Sequence, residues 1–409
     1  MDSTVAGDST RPGDARRILA TRALRGFADG LVSVLLATWL TRLGWSPGRI
    51  GGLVAATLLG SAALTIVLGL VGHRFPHRAV LLASAALMLA TGLAFASTTG
   101  FWPLLLVATL GTLNPSAGDV SVFLPAEQAA LAGVVPVQER TRLFALYNVA
   151  GNLGGALGAL ASGGPALLSP RFGVTLASAE RSGFLVYSLV AVACGSLYAG
   201  LRSAPPDSDD AGAPLERSRS VVLRLAALFS LDSFAGGFAV QSILALWLLD
   251  RFGLEPQALA VVFFASSLLG GASQLVSPVL ARRIGLVHTM VWTHLPANLF
   301  LVAAGFAGSA ASAIACLLAR SALSQMDVPA RQALVMSLVP PRERAAAASF
   351  TNVPRSLAAA VAPALAGLML GRSSVGWPLV LAGILKIAYD LLLLRGFGSV
   401  RPWEERRGG

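Results

Sequence analysis

Apolar runs of about twenty residues recur from one end of this chain to the other, separated by short segments that contain Gly, Pro and Arg. A run of that length lets an α-helix cross the hydrocarbon layer of a bilayer. The composition agrees, because 55% of the 409 residues are hydrophobic and 12% are charged, whereas soluble domains carry about 25% charged residues. The chain is therefore predicted to be an all-α integral membrane protein.

Twelve predicted spans are delimited by the Gly, Pro and Arg residues between the apolar runs. Spans 1 to 12 cover residues 18–41, 47–72, 79–98, 102–135, 142–168, 182–201, 222–250, 257–281, 286–307, 309–339, 345–371 and 375–394. A polar segment rich in Pro and Ser separates two sets of six spans. The predicted organisation is a tail at 1–17, a bundle at 18–201, a linker at 202–220, a bundle at 221–396 and a tail at 397–409.

Arginines are distributed unevenly between the two sides of this arrangement. The side that carries both tails and the linker holds most of them, and the other side holds Arg42, Arg49, Arg171, Arg181, Arg251 and Arg372. By the positive-inside rule, both termini are cytoplasmic and the protein lies in a cell membrane, which we take to be a bacterial inner membrane. The net charge of +11 is explained by this topology, so we expect no nucleic-acid partner.

The two predicted bundles are related in sequence. A shift of 204 residues superposes Pro125, Gln128, Ala129, Val135, Pro136, Glu139, Arg140, Asn148 and Val149 on Pro329, Gln332, Ala333, Val339, Pro340, Glu343, Arg344, Asn352 and Val353. Two six-span units of the same orientation are the parallel-repeat plan of a secondary transporter. The expected fold is thus two pseudo-symmetric six-helix bundles.

The loop after span 2, residues 69–78, is similar to the glycine, aspartate-arginine, glycine, arginine signature of the major facilitator superfamily. The chain resembles that superfamily over residues 16–396. His73 stands at the aspartate position and Pro76 at the second glycine, and the counterpart loop after span 8 has Arg282 at the acidic position. The resemblance implies a gating role for the residues of these two loops, which are Gly69, His73, Arg74, Arg78, Arg282, Arg283 and Gly285.

Charged side chains inside the spans are candidates for function, because a charge at the bilayer centre costs at least about 2.5–3.5 kcal/mol. The resemblance implies that spans 1, 4, 7 and 10 line a central cavity. A proton carrier there requires a carboxylate, and the candidates are Glu127, Asp119, Asp29 and Asp232. Candidates for substrate contact are the basic, acidic and amide side chains of Arg331, Arg320, Asp327, Gln128, Gln332, Asn148, Asn352 and Arg355.

Glu127 and Arg331 occupy equivalent positions of the repeat, each about 12 Å from the cytoplasmic end of its span. They can form an ion pair across the cavity, or Arg331 can pair with Asp327 four residues earlier on its own helix. Arg320, Asp327 and Arg331 share one stripe of span 10, which either holds an anionic group or braces the helix.

Span 5 carries Gly151, Gly154, Gly155 and Gly158, a spacing similar to the glycine-rich motif of drug/proton antiporters. Close packing of two helices explains the same spacing. Pro115, Pro125 and Pro329 are expected to bend spans 4 and 10.

The sequence contains no motif typical of ATP hydrolysis, zinc binding or nucleophilic catalysis. Lys386 is the only lysine and no phosphate-binding loop precedes it, so ATP hydrolysis is not expected. The four histidines have no zinc-site spacing. Residues 44–48 match the Gly-x-Ser-x-Gly pattern of a nucleophile elbow, but they follow a predicted helix and include Pro47, so the strand-turn-helix context of that motif is absent. We therefore expect no enzyme activity, no cofactor and no metal.

The function predicted from the sequence is proton-coupled export of a small amphipathic or organic compound by alternating access, carried out by a monomer in the lipid bilayer. One alternative is uptake of an organic anion at the arginines of span 10. A second is a membrane sensor that has the architecture of a transporter but does not transport.

Overall fold

The computed structural model describes residues 12–71, 75–116, 123–132, 137–201, 218–340 and 343–398. Within these ranges the chain forms sixteen α-helices and no β-strand. The helices are α1 (Pro12–Arg42), α2 (Pro47–Val71), α3 (His77–Ser97), α4 (Phe101–Leu110), α5 (Phe123–Ala132), α6 (Val137–Ala161), α7 (Gly164–Phe172), α8 (Leu176–Ala199), α9 (Arg219–Gly237), α10 (Gln241–Phe252), α11 (Pro256–Ile284), α12 (Leu286–Gly305), α13 (Ala310–Ser324), α14 (Asp327–Leu338), α15 (Arg344–Leu370) and α16 (Trp377–Phe397).

Eight of the predicted spans are single helices, and four are broken in two. Spans 4, 5, 7 and 10 correspond to α4 with α5, α6 with α7, α9 with α10 and α13 with α14. The expectation of a continuous helix was wrong for these four spans. Ten segments of the described chain are long and apolar enough to cross a membrane, and they correspond to every span except 4 and 10.

The breaks have identifiable causes. Residues 111–116 in span 4 include Gly111 and Pro115, and Gly237 immediately precedes the break in span 7. Pro329 lies in the first turn of α14, where a missing N–H costs little, so it follows the break in span 10 instead of bending a continuous helix. The Ser277 hydroxyl donates a 2.6 Å hydrogen bond to the carbonyl of Met326 in that break. Irregular backbone is tolerated at membrane depth when its polar groups are satisfied in this way.

The glycines of span 5 bring α6 against α1. A Cβ atom added to Gly26 would lie 3.2 Å from Gly151 Cα, and one added to Gly30 would lie 3.0 Å from the backbone nitrogen of Ala159. Gly154 and Gly158 likewise face the backbone of α1. Close packing therefore accounts for the glycine spacing in this structure.

The two halves are packed together at the end of the molecule away from the chain termini. Ile243, Leu301 and Ala362, near that end of the C-terminal half, share one apolar core with the N-terminal half. Val222, Val335, Leu393 and their neighbours, near the termini, form a separate apolar cluster. From this separation among the described residues, we infer that the crevice between the halves opens on the side of the termini.

Glycines on α2 and α15 make the tightest contact at this closed end. A Cβ atom added to Gly51 would lie 2.8 Å from Gly367 Cα, so the two backbones touch without intervening side chains. A second contact joins α10 to span 4, since the backbone N–H of Ser242 donates to the carbonyl of Pro115 at 3.2 Å.

Candidate functional site: two buried ion networks

The first network lies inside the N-terminal half and is centred on Glu127, whose side chain is fully buried. The Glu127 carboxylate forms an ion pair with Arg25 and accepts hydrogen bonds from the Tyr198 hydroxyl, the Tyr147 hydroxyl at 2.5 Å and Thr21 Oγ1 at 3.1 Å. These donors come from α1, α6 and α8. Four donors to one carboxylate satisfy it completely, as a charge removed from water requires.

Arg25 is held in place by the ring of Phe123 as well as by the Glu127 carboxylate. The centre of its guanidinium lies 4.4 Å from the Phe123 ring centroid, and its side chain is 2% exposed. Arg25 was not predicted as a site residue, because in spans 1 and 4 only the acids were candidates. The signal was present, since Arg22 and Arg25 are basic residues three apart within span 1. Tyr147 and Tyr198 carried no comparable signal.

Asp29 lies one turn from Arg25 on α1 and faces the break in span 4. Asn114 Nδ2 donates to Asp29 Oδ2 at 3.3 Å, and the Asn114 side-chain oxygen accepts from the Ser116 hydroxyl at 2.7 Å. Pro115, between these two residues, is the one whose carbonyl contacts Ser242 of the other half. The Asp29 carboxylate is thus connected through span 4 to the contact between the halves.

The second network lies in the C-terminal half and is centred on Asp232 of α9. Its carboxylate is 2.5 Å from Lys386 Nζ and 3.4 Å from an Arg331 nitrogen. Arg331 also pairs with Asp327 on its own helix, at 3.1 Å. The suggested pair between Glu127 and Arg331 across the cavity is therefore not formed in this structure, and the pairing with Asp327 is. The reason is that each half supplies its own counter-charges.

A histidine extends the second network. His294 Nδ1 on α12 is 2.9 Å from the Asp390 carboxylate on α16, and Asn298 Nδ2 donates to the same carboxylate at 2.9 Å. His294 Nε2 is 3.9 Å from Asp232 Oδ1. This cluster was not predicted, because the histidines and Lys386 were candidates only for zinc and ATP chemistry. The partner residues lie on separate spans, and nothing in the linear sequence pairs them.

Other predicted site residues make fewer hydrogen bonds. Arg355 Nε donates to the Ser233 hydroxyl at 2.8 Å, and the buried Arg320 Nε has no hydrogen-bond partner among the described residues. Of the four amide side chains that the repeat relates, Gln128 is half-buried. The other three, Gln332, Asn148 and Asn352, are exposed. Asp119 lies outside the described residues.

The predicted gating loops are only partly described. His73 and Arg74 fall outside the described residues, Gly69 lies within α2, and Arg78 is half-buried. Arg282 and Arg283 are exposed at the end of α11, where Gly285 terminates the helix with a φ of 88°. A pocket of about 300 Å³ lies beside this loop, lined by residues that include Ser277, Arg282 and Pro329.

Side-chain amides join the two halves where α6 packs against α11. Asn152 Nδ2 on α6 donates to Gln274 Oε1 on α11 at 3.4 Å, and Gln274 Nε2 donates to Gln325 Oε1 at 3.3 Å. Gln325 lies in the break of span 10. This amide chain therefore connects the interface between the halves to a broken helix.

Buried ion networks in each of two six-span halves, with spans 4 and 10 broken near the contacts between the halves, are typical of the class of secondary transporters that work by alternating access. The sequence matches the model of the Major Facilitator Superfamily over residues 18–325. The chain belongs to the Major Facilitator Superfamily, whose members are transporters and not enzymes.

Known proteins resemble the chain along nearly its whole length. It is 26% identical to the membrane protein YJR124C of Saccharomyces cerevisiae, over 93% of each chain. Among solved structures, the inward-open xylose transporter XylE from E. coli has a TM-score of 0.75 at 13% identity, covering 96% of this chain and 99% of that one. An inward-facing bacterial homologue of the lysosomal transporter Spinster has a TM-score of 0.73 at 14% identity, covering 97% and 99%. The nucleoside transporter NupG, as a mutant, has a TM-score of 0.72 at 12% identity, covering 94% and 100%.

Proposed function

We propose that the protein is a proton-coupled exporter of a small amphipathic or organic compound, with Glu127 as the proton carrier. The observation that carries this proposal is the buried ion pair between Arg25 of α1 and Glu127 of α5. An ion pair at membrane depth is expensive to maintain, and such pairs are functional by default. The xylose and nucleosides named for similar structures are small organic molecules, which supports a substrate of that size.

Protonation of Glu127 changes which donors it can hold. A protonated carboxylic acid is itself a donor, so it cannot keep all four of its present partners. Arg25 cannot lose its own charge and needs another acceptor. Asp29 is the nearest carboxylate on the same helix, four residues further along, so we expect Arg25 to move toward it.

That movement provides a route from the proton to the contact between the halves. Asp29 accepts a hydrogen bond from Asn114, and the adjacent Pro115 carbonyl accepts from Ser242 in the other half. Arg25 would compete with Asn114 for Asp29 and weaken the ordering of the break in span 4. The closed end of the crevice would then separate more easily, which biases the equilibrium toward the other access state.

The direction and the topology are parts of the same proposal. The crevice opens on the side of the termini, which the arginine distribution makes cytoplasmic, so a cytoplasmic compound has access to it. We further propose a monomer in the bacterial inner membrane, with the tails at 1–17 and 397–409 and the linker at 202–220 on the cytoplasmic side of the two bundles.

Flux measurements in proteoliposomes test the coupling. A compound that raises the melting temperature of the purified protein in a thermal-shift screen serves as the probe, and a pH gradient drives its transport. Glu127→Gln should abolish gradient-driven flux while it retains binding of the probe. Glu180→Gln is the matched control, because Glu180 is an equally buried carboxylate of the same half that pairs with Arg42 at the edge of the bundle. Gradient-driven flux that survives in Glu127→Gln would refute the carrier role.

Uptake of an organic anion is a second candidate, supported by the buried Arg320 Nε without a described partner. Arg331 supports it less, because its charge is already paired with Asp327 and Asp232. Loss of benzoate binding in Arg320→Gln, with proton dependence unchanged in Glu127→Gln, would favour this function. Exchange of labelled probe across the membrane in either assay excludes a sensor that does not transport.

A further inference from the structure

The imidazole of His294 lies between two carboxylates in the middle of the C-terminal half. Asp390 is 2.9 Å from its Nδ1 and Asp232 is 3.9 Å from its Nε2. His294 is 3% exposed, and the ring of Tyr389 packs edge-on against it with centroids 6.1 Å apart. The imidazole is therefore held in one orientation, with a different acid facing each nitrogen.

The hydrogen bonds assign different roles to the two nitrogens. Asp390 accepts from Asn298 Nδ2, and its other oxygen lies at hydrogen-bond distance from His294 Nδ1. Asn298 Nδ2 lies 3.3 Å from Nδ1, farther than the Asp390 oxygen at 2.9 Å. The shorter contact, to an ionised carboxylate that only accepts, places a hydrogen atom on Nδ1. Nε2 is then the nitrogen that gains or loses a proton, and it faces Asp232.

The charges around the imidazole are balanced when it is neutral. Among the residues that the structure describes, three acids and three bases converge on the cluster, contributed by α9, α13, α14 and α16. The charged and titratable groups are Asp232 of α9, Arg320 of α13, Asp327 and Arg331 of α14, and Lys386, Tyr389 and Asp390 of α16. Helix α12, which carries His294, packs against α13, α14, α16 and α11. Of these, α11 carries only Arg282 and Arg283 as charged residues, and both lie at its exposed end. One proton on Nε2 therefore gives a buried cluster a net positive charge.

We propose that His294 Nε2 is a proton-binding site of the C-terminal half, which controls how Asp232 is shared between Lys386 and Arg331. This site is separate from Glu127. Proton binding at His294 does not depend on the proposed function, whereas a role of that proton in transport rests on the proposed coupling to protons. Protonated His294 is a third cation beside Asp232, so it weakens the hold of that carboxylate on Lys386.

The affected ion pairs adjoin two broken spans. Lys386 Nζ lies against Gly236, 3.6 Å from where a Cβ atom would be, and Gly236 lies in the last turn of α9, one residue before its end at the break in span 7. Asp327 is the first residue of α14, immediately after the break in span 10. Proton binding at His294 would thus change the electrostatic ties at both breaks, where a helix can bend with little cost.

NMR of histidine side chains tests the site directly. The protein, labelled with ¹³C at histidine Cε1 and reconstituted in nanodiscs, is titrated from about pH 5 to about pH 9, the range in which imidazole changes charge. Comparison with His294→Asn assigns one of the four histidine signals. We expect the His294 signal to titrate. At one pH inside its titration, the ratio of imidazolium to imidazole should rise roughly tenfold in Lys386→Met, because a like charge is removed.

Arg283→Gln is the control, since this exposed arginine on α11 should leave the ratio unchanged. If Lys386→Met does not fold, Asp390→Asn replaces it, and the ratio should fall roughly tenfold because an opposite charge is lost. A His294 signal that stays constant across the range, or a ratio unaffected by both substitutions, overturns the proposal. The titration uses no substrate and no gradient, so its failure leaves the role of Glu127 untouched, and flux without proton dependence leaves this site untouched.

Discussion

Removal of Arg25 should destabilise the protein far more than removal of a partly exposed arginine from a similar ion pair. In the Arg25–Glu127 pair the side chains are 2% and 0% exposed, whereas in the Arg42–Glu180 pair they are 36% and 1% exposed. Arg25→Met leaves the Glu127 charge buried without its cation, which costs about 3–5 kcal/mol. Arg42→Met should cost less, because 36% of that arginine is exposed and water can take its place beside Glu180.

A double-mutant cycle separates the ion pair from other effects of the substitution. Reversible unfolding in mixed SDS micelles gives the free energy of unfolding for Arg25→Met, Glu127→Gln and the double variant. Because the double variant contains no buried unpaired charge, it should recover at least about 2 kcal/mol relative to the sum of the single variants. Strict additivity, or equal costs for Arg25→Met and Arg42→Met, would refute the view that Glu127 depends on Arg25 for its charge balance.

Two further predictions concern the conformation and the topology. Gly51→Leu should open the closed end of the crevice, because overpacking against Gly367 costs about 1–3 kcal/mol. Pulsed EPR distances between spin labels at positions 172 and 372 should lengthen in that variant and stay constant in Gly52→Leu, where a Cβ atom has no neighbour within 4 Å. In a Cys194→Ser, Cys316→Ser background, a membrane-impermeant maleimide should label Arg372→Cys in intact cells, and Arg283→Cys only after permeabilisation. Labelling of Arg283→Cys from outside would contradict cytoplasmic termini.

The architecture was predictable because its signals are local or periodic in the sequence. Span lengths indicated membrane helices, and the shift of 204 residues indicated two related halves. The loop after span 2 resembled the major facilitator superfamily, and the family match confirms that membership. Helix continuity was less predictable. Gly237 and Pro115 are visible in the sequence, but many membrane helices tolerate such residues, and only packing decides whether a helix breaks there.

The sequence indicated several charged residues of the candidate site, but it did not indicate which of them form ion pairs with one another. Glu127, Asp232, Asp327 and Arg331 were selected as charges inside spans, and all four are buried in ion networks. Their partners Arg25 and Lys386 were not selected, since each comes from a span distant in sequence. The equivalence of Glu127 and Arg331 in the repeat suggested a pair across the crevice, but repeat symmetry relates positions between the halves and does not bring them into contact.

The sequence by itself determined that this chain crosses a membrane many times in two related halves, because a bilayer demands long apolar helices and the length of each run records that demand. The tertiary structure alone decided which buried charges neutralise one another. Distances of about 4 Å or less between side chains govern that choice, and those distances arise when helices from remote parts of the chain pack around the same interior.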